Sequence, residues 1–375
     1  MDDKLSNFRD QIDRIDEQIL DLLKKRNEVV SDVIRTKIEH TLPVFVAGRE
    51  DEKTGVFRVM AEERGIDPDW AEDFLRMIMA SSRAVQSVTK FPCATEEPKT
   101  IVIVGGDGGM GSLYRRFLEA SGHRTCTLEK GNWHELPAFA EQADMVIVSV
   151  PIRATNRVVT RLAPALRRET LLADFTSNKR DPLRHMLASH EGPVIGLHPM
   201  HGPDVPNLSK QLMVISPGRD PQASAWFTDQ CRLWGMRILE ADPEKHDHVM
   251  NLVQGLRHFL ALLHGSFMRK YDLLPGEILD YSSPIYRAEL MMTGRIFAQD
   301  AELYADIVFA NEERRQLLIN FLRHQEQLIE MVRNNDKEGF IREFEQVTDF
   351  FGTFATQALE ESGYLINRLS DRFTG

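Results

Sequence analysis

The sequence is poor in cysteine, in long apolar runs and in positive charge, and each shortage excludes a class of protein. Its three cysteines, Cys93, Cys126 and Cys231, are widely spaced and form no CxxC pair, which argues against a zinc or dithiol centre and suits a reducing compartment. No apolar run approaches membrane-spanning length, and Met1-Asp2-Asp3-Lys4 lacks the basic and apolar regions of a signal peptide. The expected location is the cytoplasm, with no membrane partner. With 46 lysines and arginines against 57 aspartates and glutamates, the net charge is −11. That is the wrong sign for broad binding to nucleic acid or to an anionic membrane. Sites for anionic substrates must therefore gather positive charge locally. No histidine spacing points to a metal.

The 375 residues leave room for two or three domains, each with its own core. Proline and glycine are missing from Leu5 to Leu42. Over that stretch Leu5, Phe8, Ile12, Ile15, Ile19, Leu22, Val29 and Val33 recur at spacings of three and four, with one gap at Arg26. The pattern predicts one helix of about 35 residues, roughly 50 Å long, ended by Pro43. An apolar stripe of that length exceeds what one small domain covers, so it predicts pairing with another long helix, from a second chain. Further helices are expected from Gly48 to Arg64 and from Trp70 to Val88, the latter capped by Asp67 with Pro68 in its first turn.

Arg26 interrupts the stripe, and Lys37, eleven residues on, lies about 20° away on the same face. Arg9 precedes Arg26 by seventeen residues, or about 25 Å along the axis, so one small ligand cannot meet both on one helix. Arg9 is either an ordinary solvated charge or a residue that completes the site of a partner chain.

After a short linker, Pro92 to Pro98, the pattern changes. Thr100-Ile101-Val102-Ile103-Val104 is a buried-strand run that opens into Gly106-x-Gly108-x-x-Gly111, followed by an apolar helix start. The glycines, with Gly109 and Met110 in the same turn, permit a tight bend and bring backbone amides to a pyrophosphate at a helix N-terminus. A second strand, Arg124 to Leu128, ends in Glu129, eighteen residues past Gly111. An acid there accepts from the ribose hydroxyls of NAD and repels the phosphate of NADP. Asp107, an anion within the loop, is expected to face solvent. Strands are also expected at Asp144 to Pro151, with Pro151 near the nicotinamide, and at Leu171 to Phe175, Val194 to Pro203, Leu212 to Ile215 and Arg237 to Leu239. His198 falls at a strand end, where ligands of such sheets gather. From Pro243 onward helices are expected over Val249–Tyr271, Ala288–Ala298, Glu302–Ala310, Glu312–Val332 and Lys337–Leu369.

Leu5-x-x-x-Arg9-x-x-Ile12-x-x-Ile15-Asp16, then Leu22-Leu23-x-x-Arg26, Lys37, Pro43-Val44, Arg49-Glu50, Ser82 and Gln86 resemble the all-helical chorismate mutases over about ninety residues. The resemblance implies an intertwined dimer that rearranges chorismate to prephenate without a nucleophile or cofactor. It implies that Arg26 and Arg9, the latter from the partner, hold the two carboxylates, and that Lys37 and Gln86 bond the ether oxygen. Glu50 would bind the ring hydroxyl, with Arg49 and Ser82 supporting the pocket.

Val104-Gly105-Gly106, Val148-Ser149-Val150-Pro151-Ile152, Gly196-Leu197-His198-Pro199-Met200, Leu256-Arg257-His258-Phe259, Ser283-Pro284-Ile285-Tyr286-Arg287 and Gly294-Arg295 resemble prephenate dehydrogenase. With the helical module ahead of it, nearly the whole chain is similar to the bifunctional T-proteins of tyrosine synthesis. The implied reaction is oxidative decarboxylation of prephenate by NAD. His198 would take the proton of the ring 4-hydroxyl, Ser149 would orient that hydroxyl, and Arg295 would hold a carboxylate, with Arg287 and Lys179 supporting the pocket. His258 sits in a motif linked to sensing tyrosine, or is a helix-packing histidine. His201 stands where the family more often has phenylalanine.

The expected order is an all-α chorismate mutase domain (1–91), a linker (92–98), an α/β Rossmann NAD-binding domain (99–242) and an all-α dimerisation and substrate domain (243–375). Two rival readings exist. Another Rossmann dehydrogenase, of the hydroxyacid or reductoisomerase type, leaves the mutase residues idle. A non-enzymatic regulator predicts a damaged site, whereas Arg9, Arg26, Lys37, Glu50, Gln86, His198 and Arg295 are all present.

Overall fold

A computed structural model describes residues 2–43, 45, 47–86 and 90–373. The chain forms two compact units, Met1–Pro243 and Glu244–Gly375.

The first unit opens with three helices, α1 (Asp2–Glu39), α2 (Ala47–Glu62) and α3 (Pro68–Gln86). The long first helix ends before Pro43 is reached. Thr41 adopts a left-handed φ of 52°, and the Leu42 N–H closes onto the Lys37 carbonyl at 2.8 Å, which satisfies a carbonyl at the helix end. Asp67 caps α3 as expected, its Oδ1 accepting from the Asp69 N–H at 2.9 Å. Ala61, Ala71, Leu75 and Met79 are buried where α2 and α3 pack. The stripe of α1 is not: Leu5, Phe8, Ile12, Ile15, Ile19, Leu22, Val29 and Val33 are exposed in the single chain.

The strands that follow are β1 (Thr100–Val104), β2 (Arg124–Leu128), β3 (Met145–Val148), β4 (Leu171–Asp174), β5 (Val194–Pro199), β6 (Leu212–Pro217) and β7 (Arg237–Glu240). They form one sheet in the order β2-β1-β3-β4-β5-β6-β7, parallel except where β5 meets β6. The helices between them are α4 (Gly109–Ala120), α5 (Leu136–Gln142), α6 (Thr155–Leu162), α7 (Arg180–Ser189) and α8 (Pro221–Leu233). Alternation along β1 and β3 divides the core into two layers. Ile101, Ile103, Met145 and Ile147 pack with Leu113 and Phe117 of α4, Phe227 of α8 and Trp234. Val102, Val104, Val146 and Val148 pack with Leu136 of α5, Val159 of α6 and Met186 of α7. Burial on both faces explains the unbroken apolar strands.

The segment expected as a linker is folded onto this sheet domain. Phe91 is buried, its ring 5.2 Å from that of Phe117, and its N–H donates to the Ala120 carbonyl. Gln230 accepts from the Ala94 N–H at 2.9 Å and donates to the Pro92 carbonyl at 3.1 Å.

The second unit is helical: α9 (Pro243–Met250), a π-helical turn (Asn251–Leu256), α10 (Arg257–Lys270), α11 (Pro275–Asp280), α12 (Pro284–Gly294), α13 (Ala301–Val308), α14 (Glu312–Arg333), α15 (Lys337–Phe351) and α16 (Thr353–Phe373). The single helix expected from Lys337 to Leu369 is broken at Gly352, whose φ of 53° and ψ of −133° suit glycine alone. The π turn makes room for Arg314, which is wholly buried and donates to Asn251 Oδ1 at 3.1 Å and to the Ile307 carbonyl.

Gly255 lies against that arginine, and a Cβ built there would stand 2.6 Å from Arg314 Cδ. Helix propensity alone credits Gly→Ala with up to about 1 kcal/mol of stabilisation. Gly255→Ala should instead destabilise by about 1–3 kcal/mol, measured by urea unfolding. A gain in stability would show that the arginine yields freely.

Candidate active sites

The first site is a pocket of about 300 Å³ among the N-terminal helices, lined by Arg26 and Lys37 of α1, Arg49, Glu50 and Lys53 of α2, and Ser82 and Arg83 of α3. Arg26 donates to the Ser82 hydroxyl, which in turn donates to the Ile78 carbonyl at 2.9 Å. Glu50 is the acid of this lining. One of its oxygens takes Arg83 and the other takes Lys210, 2.8 Å away on the loop before β6. Burial lowers the pKa of Arg26. Burial, then Arg49, lowers that of Lys37, opposed by Glu50. Lys53 is lowered by burial and by Arg26 and Arg49, again against Glu50. These cations are crowded, partly desolvated and in need of anions, which is the condition for binding a small dicarboxylate.

Arg26, Lys37, Arg49, Glu50 and Ser82 therefore meet as expected. Arg9 does not join them; it stands exposed on α1. Gln86 closes α3, but its side chain, like Val44, lies outside the described residues. Sequence reasoning missed Lys53 and Arg83. Both carry a helical signal, since Lys53 follows Arg49 and Glu50 by one turn and Arg83 precedes Gln86 by three residues. Lys210 has no such signal, because the fold alone brings it there.

The second site lies at the C-terminal edge of the sheet, beside β1 and β3, where the strand order reverses. Open parallel sheets bind ligands at such a switch point. A cleft of about 750 Å³ is lined by Gly105, Gly108, Glu129, Ser149, Pro151 and Arg157, among others. Gly105, absent from the expected set, has φ 81°, and a Cβ there would lie 2.3 Å from the Ser149 carbonyl oxygen. At Gly111 a Cβ would lie 2.3 Å from the Gly105 carbonyl oxygen. These are cradle positions that only glycine fills, and they leave the first amides of α4 open to an anion.

The other loop residues divide. A Cβ at Gly106 would meet Thr127, one at Gly109 would meet Pro203, and Met110 packs against the core rather than lining the cleft. Glu129 Oε1 accepts from the Asp107 N–H at 2.9 Å, which fixes the acid beside the loop. The Asp107 carboxylate turns outward to Arg115, at 2.9 Å, as its charge requires. Lys130, Arg153, Arg157 and Arg161 also line the cleft. The last three recur every four residues, a helical signal that the sequence reading passed over. The residues present fit a dinucleotide: a glycine cradle for the pyrophosphate and a carboxylate for the ribose.

His198 is buried near the end of β5. Two strand spacings separate β5 from β3, so the backbones of His198 and Ser149 stand roughly 10 Å apart across the edge; Ser149 lines the cleft and His198 does not. Lys179 is withdrawn from solvent altogether. Its Nζ donates to Asp174 at 2.6 Å and to the Leu197 carbonyl at 2.7 Å, and both ions are fully buried. It holds the strand beside His198, and loss of either partner would cost about 3–5 kcal/mol. His201 is committed elsewhere. Its Nδ1–H donates to the Gly202 carbonyl at 3.0 Å, its Nε2 accepts from the Tyr114 hydroxyl at 3.2 Å, and burial lowers its pKa.

In the second unit Arg287 donates to the Leu279 carbonyl at 2.8 Å, and Arg295 is exposed where α12 ends. His258 packs edge-on against Tyr304, ring centroids 4.8 Å apart. Burial first, then Arg257 and Arg314, pushes its pKa down to about 4. No group of histidine, cysteine and acidic residues able to hold a metal occurs among the described residues, and no helix there is long and apolar enough to cross a membrane.

Residues 8–87 match the chorismate mutase type II family, residues 120–235 the nucleotide-binding domain of prephenate dehydrogenase, and residues 242–346 its dimerization domain. The chain is 40% identical to the T-protein of Haemophilus influenzae over 367 residues, 98% of this chain and 97% of that protein. It is 40% identical to the T-protein of Enterobacter agglomerans over 98% of each. Among solved structures, prephenate dehydrogenase from A. aeolicus in complex with hydroxyphenyl propionate and NAD+ superposes with a TM-score of 0.55 at 18% identity, covering 68% of this chain and 97% of that one. That likeness is one of fold.

The depressed pKa of His258 has a consequence for stability. In the unfolded chain the ring binds its proton near pH 6.5, in the folded chain near 4. Its contribution is therefore complete above about pH 6.5 and drains away as pH falls toward 4. His258→Gln should flatten the decline of the melting temperature across that window. An unaltered slope would mean that the folded chain accepts the proton as readily as the unfolded one.

Proposed function

Since the chain belongs to the T-proteins, the bifunctional chorismate mutase/prephenate dehydrogenases of tyrosine biosynthesis, we propose a division of labour among its residues. The mutase occupies residues 1–91, joined by 92–98 to the NAD-binding domain, 99–242, and to the dimerisation and substrate domain, 243–375.

In the helical pocket Arg26 holds one carboxylate of chorismate, and Arg9 of a second copy holds the other. The exposed stripe of α1 supports that pairing, and Arg9 is too far along the helix to serve its own chain. Lys37 and Gln86 donate to the ether oxygen as its bond breaks, when negative charge grows there. Glu50 receives the ring hydroxyl, and Arg49 and Ser82 brace the two arginine-bearing faces. Binding the compact conformer and stabilising that charge suffice; no group is transferred to the protein.

In the sheet cleft NAD supplies the hydride acceptor when bound. The glycine loop and α4 amides take its pyrophosphate, Glu129 its ribose, and Pro151 borders its nicotinamide end. His198 removes the proton of the 4-hydroxyl while Ser149 orients it. Arg295 holds a substrate carboxylate, Arg287 supports it, and rearomatisation of the ring drives decarboxylation to 4-hydroxyphenylpyruvate. Tyrosine acts as end-product inhibitor through the second unit, near His258, and the enzyme works as a cytoplasmic homodimer. The observation that carries this reading is the presence of two separate pockets in one chain, a cationic one suited to a dicarboxylate and a glycine-cradled one suited to a dinucleotide.

Incubation with chorismate and NAD should release NADH. Lys37→Ala should abolish that signal, yet NADH production from supplied prephenate should persist; loss of both would mean a shared site. His198→Asn should lower kcat at least about a hundredfold and leave NAD affinity, from fluorescence titration, nearly intact. Full turnover in that variant would remove His198 as the base. Arg295→Gln should chiefly raise KM for prephenate, because a carboxylate loses its partner already in the ground state.

A further inference from the structure

Glu50 is satisfied from two modules. Arg83, on a mutase helix, pairs with one of its oxygens, and Lys210, on the loop that precedes β6 of the sheet, pairs with the other at 2.8 Å. The Glu50 and Arg83 side chains are only 16% and 14% exposed, and Lys210 is 41% exposed. The two modules belong to one compact unit, and their contact is built around this point. Phe45, which lines the mutase pocket, has the Lys210 ammonium 4.8 Å from its ring centre. Gly235 has φ 82°, and a Cβ there would fall 2.9 Å from that of Phe45. The Lys210 N–H donates to the Gly235 carbonyl at 2.8 Å, and Lys210 itself takes a left-handed φ of 66°. A lysine in that conformation is uncommon and strained. The loop is thus bent, with strain, at the residue whose side chain reaches the carboxylate.

We propose that Lys210 of the NAD-binding domain is a positioning residue of the mutase site, holding Glu50 in the orientation that receives the ring hydroxyl of chorismate. The proposal rests on the reading of Glu50 given above. The carboxylate sits among Lys37, Arg49 and Lys53 as well, and it acts electrostatically on both lysines. With Lys210 and Arg83 each engaging one oxygen, Glu50 is kept from swinging toward the cations that face the substrate. The mutase pocket is then complete only when its helices are seated on the sheet domain, and the dehydrogenase module contributes a residue to the reaction that precedes its own.

The test uses the full-length enzyme and four variants: Lys210→Met, which keeps the apolar stem, Lys210→Arg, Glu50→Ala and the double variant Lys210→Met/Glu50→Ala. Chorismate consumption and NADH formation from supplied prephenate are measured separately. Lys210→Met should lower mutase kcat/KM by about three- to tenfold, the range of a partly exposed charged hydrogen bond, mainly through a higher KM. Dehydrogenation of prephenate should be unchanged, Lys210→Arg should recover most of the loss, and Lys210→Met should add nothing in the Glu50→Ala background. Wild-type mutase kinetics in Lys210→Met, with Glu50→Ala impaired, would overturn the proposal and leave the reading of Glu50 intact. Wild-type mutase kinetics in Glu50→Ala would overturn that reading and the proposal with it. An equal loss from Lys210→Met with and without Glu50 would show a different route of action, and would also overturn it.

Discussion

Cations drawn closer than they tolerate in water, together with the acid among them, Glu50, are the condition on which the helical pocket rests. The chain carries a net charge of −11, so a dianionic substrate is repelled everywhere except where arginine and lysine are concentrated. Arg26, Lys37, Arg49, Lys53 and Arg83 are gathered from three helices. Loss of water lowers the pKa of Arg26, and loss of water together with neighbouring arginine charge lowers those of Lys37 and Lys53, opposed by Glu50. Glu50 permits the crowd while leaving excess positive charge for the ligand. Because one of its two oxygens is engaged from the sheet domain, the electrostatics of the mutase pocket extend beyond the helices that define it.

The sheet domain meets the same problem by a different route. At the C-terminal edge beside β1 and β3, backbone amides at the start of α4 stand with Lys130, Arg153, Arg157 and Arg161 around the cleft, and the turn itself is shaped by residues with no side chain. Gly105 and Gly111 allow carbonyl oxygens to approach within 2.3 Å of where a Cβ would be. Glu129 is tied to the loop through the Asp107 N–H, so the acid proposed to meet the ribose also braces the glycine turn. Across the edge, the buried Lys179–Asp174 pair fixes the carbonyl next to His198. Charge inside this domain serves rigidity, whereas in the helical pocket it serves attraction.

Much of this was legible in the chain. The period of α1, the seven strand runs, the glycine loop, the acid after β2 and the histidine near the end of β5 all follow from local patterns, because hydrophobic period, turn chemistry and motif spacing are properties of neighbours in sequence. The misses have the same logic in reverse. α1 ends at Glu39, not at Pro43, because Thr41 adopts a left-handed turn, and the last long helix breaks at Gly352. A glycine inside a periodic stretch does not announce which of its conformations it will adopt.

The sequence by itself determined the class of each module and the presence of two chemistries, and it marked candidate residues for them, since each lies in a motif whose spacing matches one helix face or one strand end. Only the tertiary structure decided how those residues are employed. Lys179 is buried as a brace, and both nitrogens of His201 are occupied. Met110 turns into the core, Arg314 lies wholly buried against Gly255, and Lys210 crosses from one module to the other. Each of these outcomes depends on atoms distant in the chain brought within hydrogen-bond or van der Waals range, and no local pattern encodes such a distance.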